Sequence, residues 1–262
     1  MQRKDFLKQS VLAGISLSVF GKPSDNGAPC TETPEETEGP FSTHKPETLV
    51  TQNIIADRVG TPLQIDIKIN NINDNCLGLK GAIVDIWHCD SKGEYSEYGG
   101  NQEQGNGGGP GGMRMPPPGM KSPPDSGMKK MGNQPPRMGG RSMQPADHTK
   151  EHFLRGRQTT NVKGLVSFHS IFPGWYSGRA PHIHVQVFSA SGKSLLVTQI
   201  AFPEDITTKV YTQGVYSVHD LPETPNAADN VFNDGIANEL AVITGNTTDG
   251  FILSHSVYVK AG

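Results

Sequence analysis

The sequence predicts an all-β fold, an antiparallel β-sandwich with long loops and few helical turns. Three observations predict it. Apolar residues alternate with polar ones over short runs, the period of a half-buried strand. Turn residues punctuate those runs, at Asn73-Asp74-Asn75, Pro173-Gly174, Ser191-Gly192 and Asp249-Gly250. No strand–helix–strand rhythm, which would build a parallel sheet, runs through the chain.

The chain opens with "MQRKDFLKQSVLAGISLSVFGKPSDNG", where Arg3, Lys4 and Lys8 precede an apolar run from Val11 to Phe20 and polar, turn-forming residues follow. This is the layout of a secretory signal peptide, and the run is too short for a permanent membrane helix. Residues 1–30 are therefore expected to be a signal peptide and spacer, and the protein to be exported to a periplasmic or extracellular location. "RKDFLK" is similar to a twin-arginine export signal, with Lys4 in place of the second arginine. Export would permit one disulfide among Cys30, Cys76 and Cys89 and leave one thiol over, with all three pairings open.

Strand signals then follow in sequence. "PLQIDIKIN" alternates Leu63, Ile65, Ile67 and Ile69 with polar partners. "GAIVDIWHC" (Gly81 to Cys89) is a mostly apolar run. "GLVSFHSIF" (Gly164 to Phe172), "HIHVQVF" (His182 to Phe188), "SLLVTQIAF" (Ser194 to Phe202) and "GFILSHSVYV" (Gly250 to Val259) continue the pattern. Residues 226–242 are read as a place for short helical turns. Between Gly99 and Asp147 the pattern stops. Seven of the eight methionines and six basic residues lie there among glycines and prolines, with almost no aliphatic side chain. Such a segment buries too little surface to offset its ordering entropy. It is expected to be a disordered basic insertion within one domain, residues 31–262, because strands on both sides belong together.

A net charge of −3 gives no global attraction to nucleic acid or to an anionic membrane. No integral membrane segment is expected once the signal is removed. HExxH, GxSxG and Walker A motifs are absent from the sequence.

The chemistry-bearing stretch is "FPGWYSGRAPHIHVQV", Phe172 to Val187. His182 and His184 are two apart on a predicted strand, so both point to one face and can reach one metal ion. The residues after His184 offer no acid, which removes the usual carboxylate partner of two histidines. The oxygen donors at hand are Tyr176 and Tyr95, the latter in "VDIWHCDSKGEYSEYGG". Phenolate is a hard, anionic oxygen that suits Fe(III). A phenol with a pKa of about 10 needs such a trivalent ion to stay deprotonated near neutrality. Tyr98 is the rival to Tyr95. Trp87 and His88 read as structural, and Arg155 and Arg157 as structural or pocket-rim charges.

On "TPEETEGPF" (Thr33 to Phe41), "GAIVDIWHCDSKGEY" (Gly81 to Tyr95), "FLRGRQTTNVKGLVSFHSIFPGWY" (Phe153 to Tyr176), "RAPHIHVQVF" (Arg179 to Phe188) and "TQI" (Thr198 to Ile200), the chain resembles the intradiol ring-cleavage dioxygenases of the catechol and protocatechuate type, in their exported branch. The resemblance implies Tyr95, Tyr176, His182 and His184 as Fe(III) ligands, with no organic cofactor. It implies that Tyr176 leaves the metal and accepts a substrate proton, that Arg179 stabilises negative charge on the ring, and that Gln199 lines the pocket. The implied partners are a small catecholic substrate and O₂, and the implied product is a muconate-type diacid holding both oxygen atoms. Where the family commonly shows Arg-Pro-Ala-His, this chain has Ala180 and Pro181 exchanged, with the arginine-to-histidine spacing intact. Two other readings predict different outcomes. A metal-dependent oxygenase or hydrolase using the histidines alone would not need Tyr95 or Tyr176. An exported non-catalytic binding module with a degenerate metal site would bind no iron.

Overall fold

The computed structural model of the protein describes residues 30–99 and 146–262. The expected signal peptide, and nearly all of the expected insertion, lie outside the described residues. The elements in order are β1 (Pro62–Asn71), β2 (Leu77–Gly78), β3 (Ile83–Trp87), β4 (Arg155–Thr159), β5 (Leu165–Ile171), β6 (His182–Phe188), β7 (Ser194–Ala201), α1 (Glu204–Tyr211), β8 (Val242–Asn246) and β9 (Gly250–Val259).

Two sheets face each other. In the first, the order is β2-β1-β9-β8, with β5 pairing β1 on the edge away from β9. In the second, the order is β4-β3-β6-β7. Alternation builds the core between them. Leu63, Ile65, Ile67 and Ile69 of β1 are buried with Phe251, Leu253, Val257 and Val259 of β9 against Val84, Ile183, Val185 and Val187 of the second sheet. Each such aliphatic side chain removed from water contributes about 1.5–3 kcal/mol.

The fold is the expected sandwich with one departure from an all-antiparallel pattern. β1 and β9 run parallel, from Leu63 opposite Phe251 to Asn71 opposite Val259. A parallel pair needs a long crossover, and here the entire second sheet supplies it. Helix α1 was not anticipated. It follows Pro203, carries Glu204 and Asp205 in its first turn and Lys209 in its last, and buries Val210 and Tyr211; those charges oppose the helix dipole at each end. Residues 226–242 hold short 3₁₀ turns at Asn226–Ala228 and Ile236–Asn238. Cys30 and Cys76 form a disulfide, and Cys89 is a buried free thiol.

Sheet register places the site. Arg155, Trp87, His184 and Gln199 lie directly opposite one another across β4, β3, β6 and β7. Cross-strand partners share a face. Since Ile183, Val185 and Val187 fill the sandwich core, this row faces outward, where loops cover it.

Candidate metal centre

His182 and His184 project from the first turn of β6 onto that outer face, 3% and 0% exposed. Their Nε2 atoms stand 3.1 Å apart. His182 Nδ1 donates to the Ala180 carbonyl at 2.6 Å, which fixes the tautomer and leaves Nε2 with a free lone pair. The Tyr176 hydroxyl lies 3.3 Å from that nitrogen. Trp87 stacks on the His184 imidazole, centroids 4.9 Å apart and planes 1° from parallel. Trp87 is therefore core packing that fixes a histidine ring.

The two tyrosines arrive on loops. Each follows a glycine by two positions, Gly93 before Tyr95 and Gly174 before Tyr176, and these glycines lie where the loops press together. Gly174 N donates to the Asp90 carbonyl at 2.9 Å. A Cβ on Gly93 would meet the Trp175 carbonyl at 2.3 Å, and one on Gly174 would meet the Asp90 carbonyl at the same distance. Only glycine permits this approach. It brings the Tyr95 and Tyr176 rings edge to face at 5.8 Å, and Tyr95 to 6.3 Å from the His184 ring. Phe41, from the N-terminal segment, stacks on Tyr95 at 4.3 Å.

Tyr95 Oη is buried with no hydrogen-bond partner among the described residues. Tyr98, the alternative donor, has its hydroxyl committed to the Ser42 carbonyl at 2.6 Å. An orphaned buried phenol is costly unless something absent from the polypeptide satisfies it. The electrostatics agree. Burial pushes the Tyr95 phenol well above its ordinary value, and the neighbouring Tyr176 adds to the shift. Burial likewise pushes Tyr176 up to about 12, against the pull of Arg179. Burial, then Arg179, holds His182 well below the usual imidazole range; burial, then His182, does the same for His184. In the polypeptide alone all four groups are neutral. Neutral imidazoles are ready-made ligands, whereas these phenols ionise only beside a strongly charged cation.

Arg179 is held on the rim of the cluster. Its Nη2 donates to Gln199 Oε1 at 2.6 Å, and its Nε to the Asp229 carboxylate at 2.9 and 3.0 Å. Its Nη1 lies 3.5 Å from His182 Nε2. Gln199 donates in turn to the Thr37 carbonyl at 2.8 Å. Every residue singled out from the sequence as a site residue is thus in one neighbourhood.

Sequence reasoning missed Asp229. Its buried carboxylate also accepts from the Ala180 and Val231 amides at 2.6 and 2.9 Å. An acid in "NAADNVF" carries no local mark of that role. Arg155 is structural, as the sequence reading allowed. It is buried and donates to Ser96, Phe41 and Thr43, tying the Tyr95 loop to the N-terminal segment. Arg157 forms a bidentate pair with Asp85. His88 is structural, with one ring nitrogen at 2.8 Å from the Cys89 carbonyl and the other at 2.7 Å from Ser170 Oγ.

The fold is structurally similar to that of the intradiol ring-cleavage dioxygenases across most of the chain. An intradiol ring-cleavage dioxygenase from Tetranychus urticae superposes with a TM-score of 0.65 at 26% identity, over 88% of this chain and 95% of that one. The dioxygenase domain of a dioxygenase–carbohydrate-binding fusion protein from the cellulolytic bacterium Streptomyces sp. SirexAA-E superposes with a TM-score of 0.54 at 19% identity, over 88% and 100%, and shares the fold. Comparison with protein-family models and with curated proteins returns no match.

Proposed function

We propose that this protein is a non-haem Fe(III) dioxygenase that opens a catechol-type ring between its two hydroxylated carbons. Both atoms of O₂ enter a muconate-type diacid. One observation carries the reading: two buried imidazoles and two phenols converge, and one phenol, Tyr95, has no other partner. Likeness to the Tetranychus urticae dioxygenase supports it.

Tyr95, Tyr176, His182 and His184 would hold the ion. When bound, Fe(III) would withdraw charge from a chelated catecholate and make its ring carbon reactive toward O₂. The chain's own residues supply the rest. Tyr95 and His184 are pinned by stacking on Phe41 and Trp87, so they form the fixed part of the cage. Tyr176 is the more exposed phenol. It is suited to swing aside and, as phenolate, to take a proton from an incoming catechol hydroxyl. Arg179, held by Asp229 and Gln199, presents a fixed positive charge to negative charge developing on the ring. The buried aromatic wall keeps bulk water from the reacting carbon. The Cys30–Cys76 disulfide supports export as part of this proposal. No helix among the described residues is long and apolar enough to cross a membrane.

The visible absorption spectrum tests the assignment, with iron quantified in the wild type and in Tyr176→Phe. A broad phenolate-to-iron band, weakened or shifted in the variant, is expected. A protein that stays colourless after Fe(III) reconstitution would overturn the reading and favour a binding module.

A further inference from the structure

Beyond the aromatic cluster, three carboxylates converge on the far side of Arg179. Glu36, Asp234 and Glu239 each bring an oxygen within 4.8 Å of the others. Glu239 is 0% exposed, and neither of its carboxylate oxygens has a hydrogen-bond partner among the described residues. A wholly buried carboxylate lacking any donor is among the most expensive features a fold can carry. Elsewhere in this protein buried acids are paired: Asp85 with Arg157, Asp229 with Arg179, Glu97 with His152 and the His44 amide. Glu239 faces two further acids instead.

The backbone holds this arrangement in place. Glu36 N donates to the Val197 carbonyl at 2.8 Å, and the Glu239 carbonyl accepts from Ala201 N at 2.9 Å, so both residues are strapped to β7. Asp234 comes from the exposed loop after the buried Phe232, which leaves one side of the cluster open to solvent. Three acids from two separate segments, one buried and orphaned and one at the mouth, have the composition of an oxygen-ligand cation site with an entry path.

We propose that Glu36, Asp234 and Glu239 bind a hard divalent cation, with calcium the best fit. Calcium accepts oxygens at about 2.3–2.6 Å, so opposite ligands stand roughly 5 Å apart, whereas magnesium demands a tighter octahedron and keeps its waters. The open side left by Asp234, which does not impose a tight octahedron, suits the larger ion. Burial and mutual repulsion also push Glu36 up to about 7, against the pull of Arg179, and Glu239 up to about 8, so the cluster has less positive charge nearby than would keep it ionised. The ion would join the N-terminal segment to the 229–239 loop, both strapped to β7, and so brace the pieces that supply Thr37, Gln199 and Asp229 around Arg179. This proposal stands apart from the iron reading, because none of its ligands belongs to the aromatic cluster.

The test is calorimetric titration of calcium chloride into EGTA-treated full-length protein, with thermal unfolding in parallel and iron content measured before and after treatment. One calcium per chain is expected. At a hundred times Kd, Tm should rise by about 5–10 °C. Glu239→Gln should weaken binding by about 100-fold, and Asp234→Asn, at the exposed mouth and safe for folding, by about tenfold. The absence of any calcium-dependent heat or Tm shift in the wild type would overturn the proposal. So would a shift that persists unchanged in both variants. A stability gain in Glu239→Gln without calcium, together with calcium-insensitive wild type, would show that the acids merely share protons.

Discussion

Asp229→Asn should loosen the whole approach to the metal centre. The wild-type carboxylate accepts from three N–H groups: Arg179 Nε–H, shared between its two oxygens, and the Ala180 and Val231 amides. An amide of the same shape must turn one NH₂ toward donors, so at least one buried N–H loses its acceptor and Arg179 loses its counter-charge. Breaking a buried charge pair costs about 3–5 kcal/mol. The Asp229 side chain is 0% exposed but that of Arg179 is 15% exposed, so water recovers part of this, and about 2–4 kcal/mol is expected. For a domain of this size that lowers Tm by roughly 5–15 °C. Thermal unfolding followed by near-ultraviolet circular dichroism measures it. Asp57→Asn is the control, because Asp57 pairs with Arg58 at the surface and its loss should leave Tm unchanged. If Asp229→Asn melts with the wild type, the carboxylate does not anchor Arg179 and this account of the pocket is wrong.

Two further predictions concern groups beneath and beside the cluster. His88 is held at about 4, chiefly by burial. The unfolded chain therefore binds the extra proton between about 6.5 and 4, so stability is complete above that window and falls as pH drops through it, by about 3 kcal/mol in all. Urea midpoints at pH 7 and pH 4.5 should differ more in the wild type than in His88→Gln; equal differences would remove His88 from the account. Gly39→Ala should also destabilise, since Gly39 sits at φ +67° and a Cβ there would stand 3.3 Å from His184 Cε1. A left-handed alanine costs about 1–2 kcal/mol, and the imidazole must give way. A lower Tm is expected, and an unchanged Tm would show that neither the backbone nor the His184 ring is strained by the methyl group.

The strands that were legible in the sequence are those whose alternation answers to the sandwich core. "HIHVQVF" and "GFILSHSVYV" coincide with β6 and β9 residue for residue. β4 was hidden inside "FLRGRQT" because Arg155 is buried by hydrogen bonds and Arg157 is half-buried in an ion pair, which hydropathy does not register. β8 is mostly exposed along an edge and shows no alternation. The parallel meeting of β1 with β9 lies between residues far apart in the chain, where local pattern says nothing. For the site, two histidines on alternate positions and two tyrosines after glycines were readable as donor chemistry. Asp229 was not, because its task depends on a loop folding back over Arg179, and the acidic trio was hidden likewise because Glu36 lies about 200 residues from Asp234 and Glu239.

The parallel pair also ties a distant strand to the pocket. Thr33 exchanges hydrogen bonds with Tyr258, its amide donating to the Tyr258 carbonyl at 3.0 Å and its hydroxyl accepting from the Tyr258 amide at 2.9 Å. The segment running on from Thr33 carries Thr37 to Gln199 and Phe41 to Tyr95. One wall of the pocket is therefore strapped to β9, a strand of the opposite sheet. A change that loosens β9 far from the histidines would also loosen the cover over Gln199 and Tyr95.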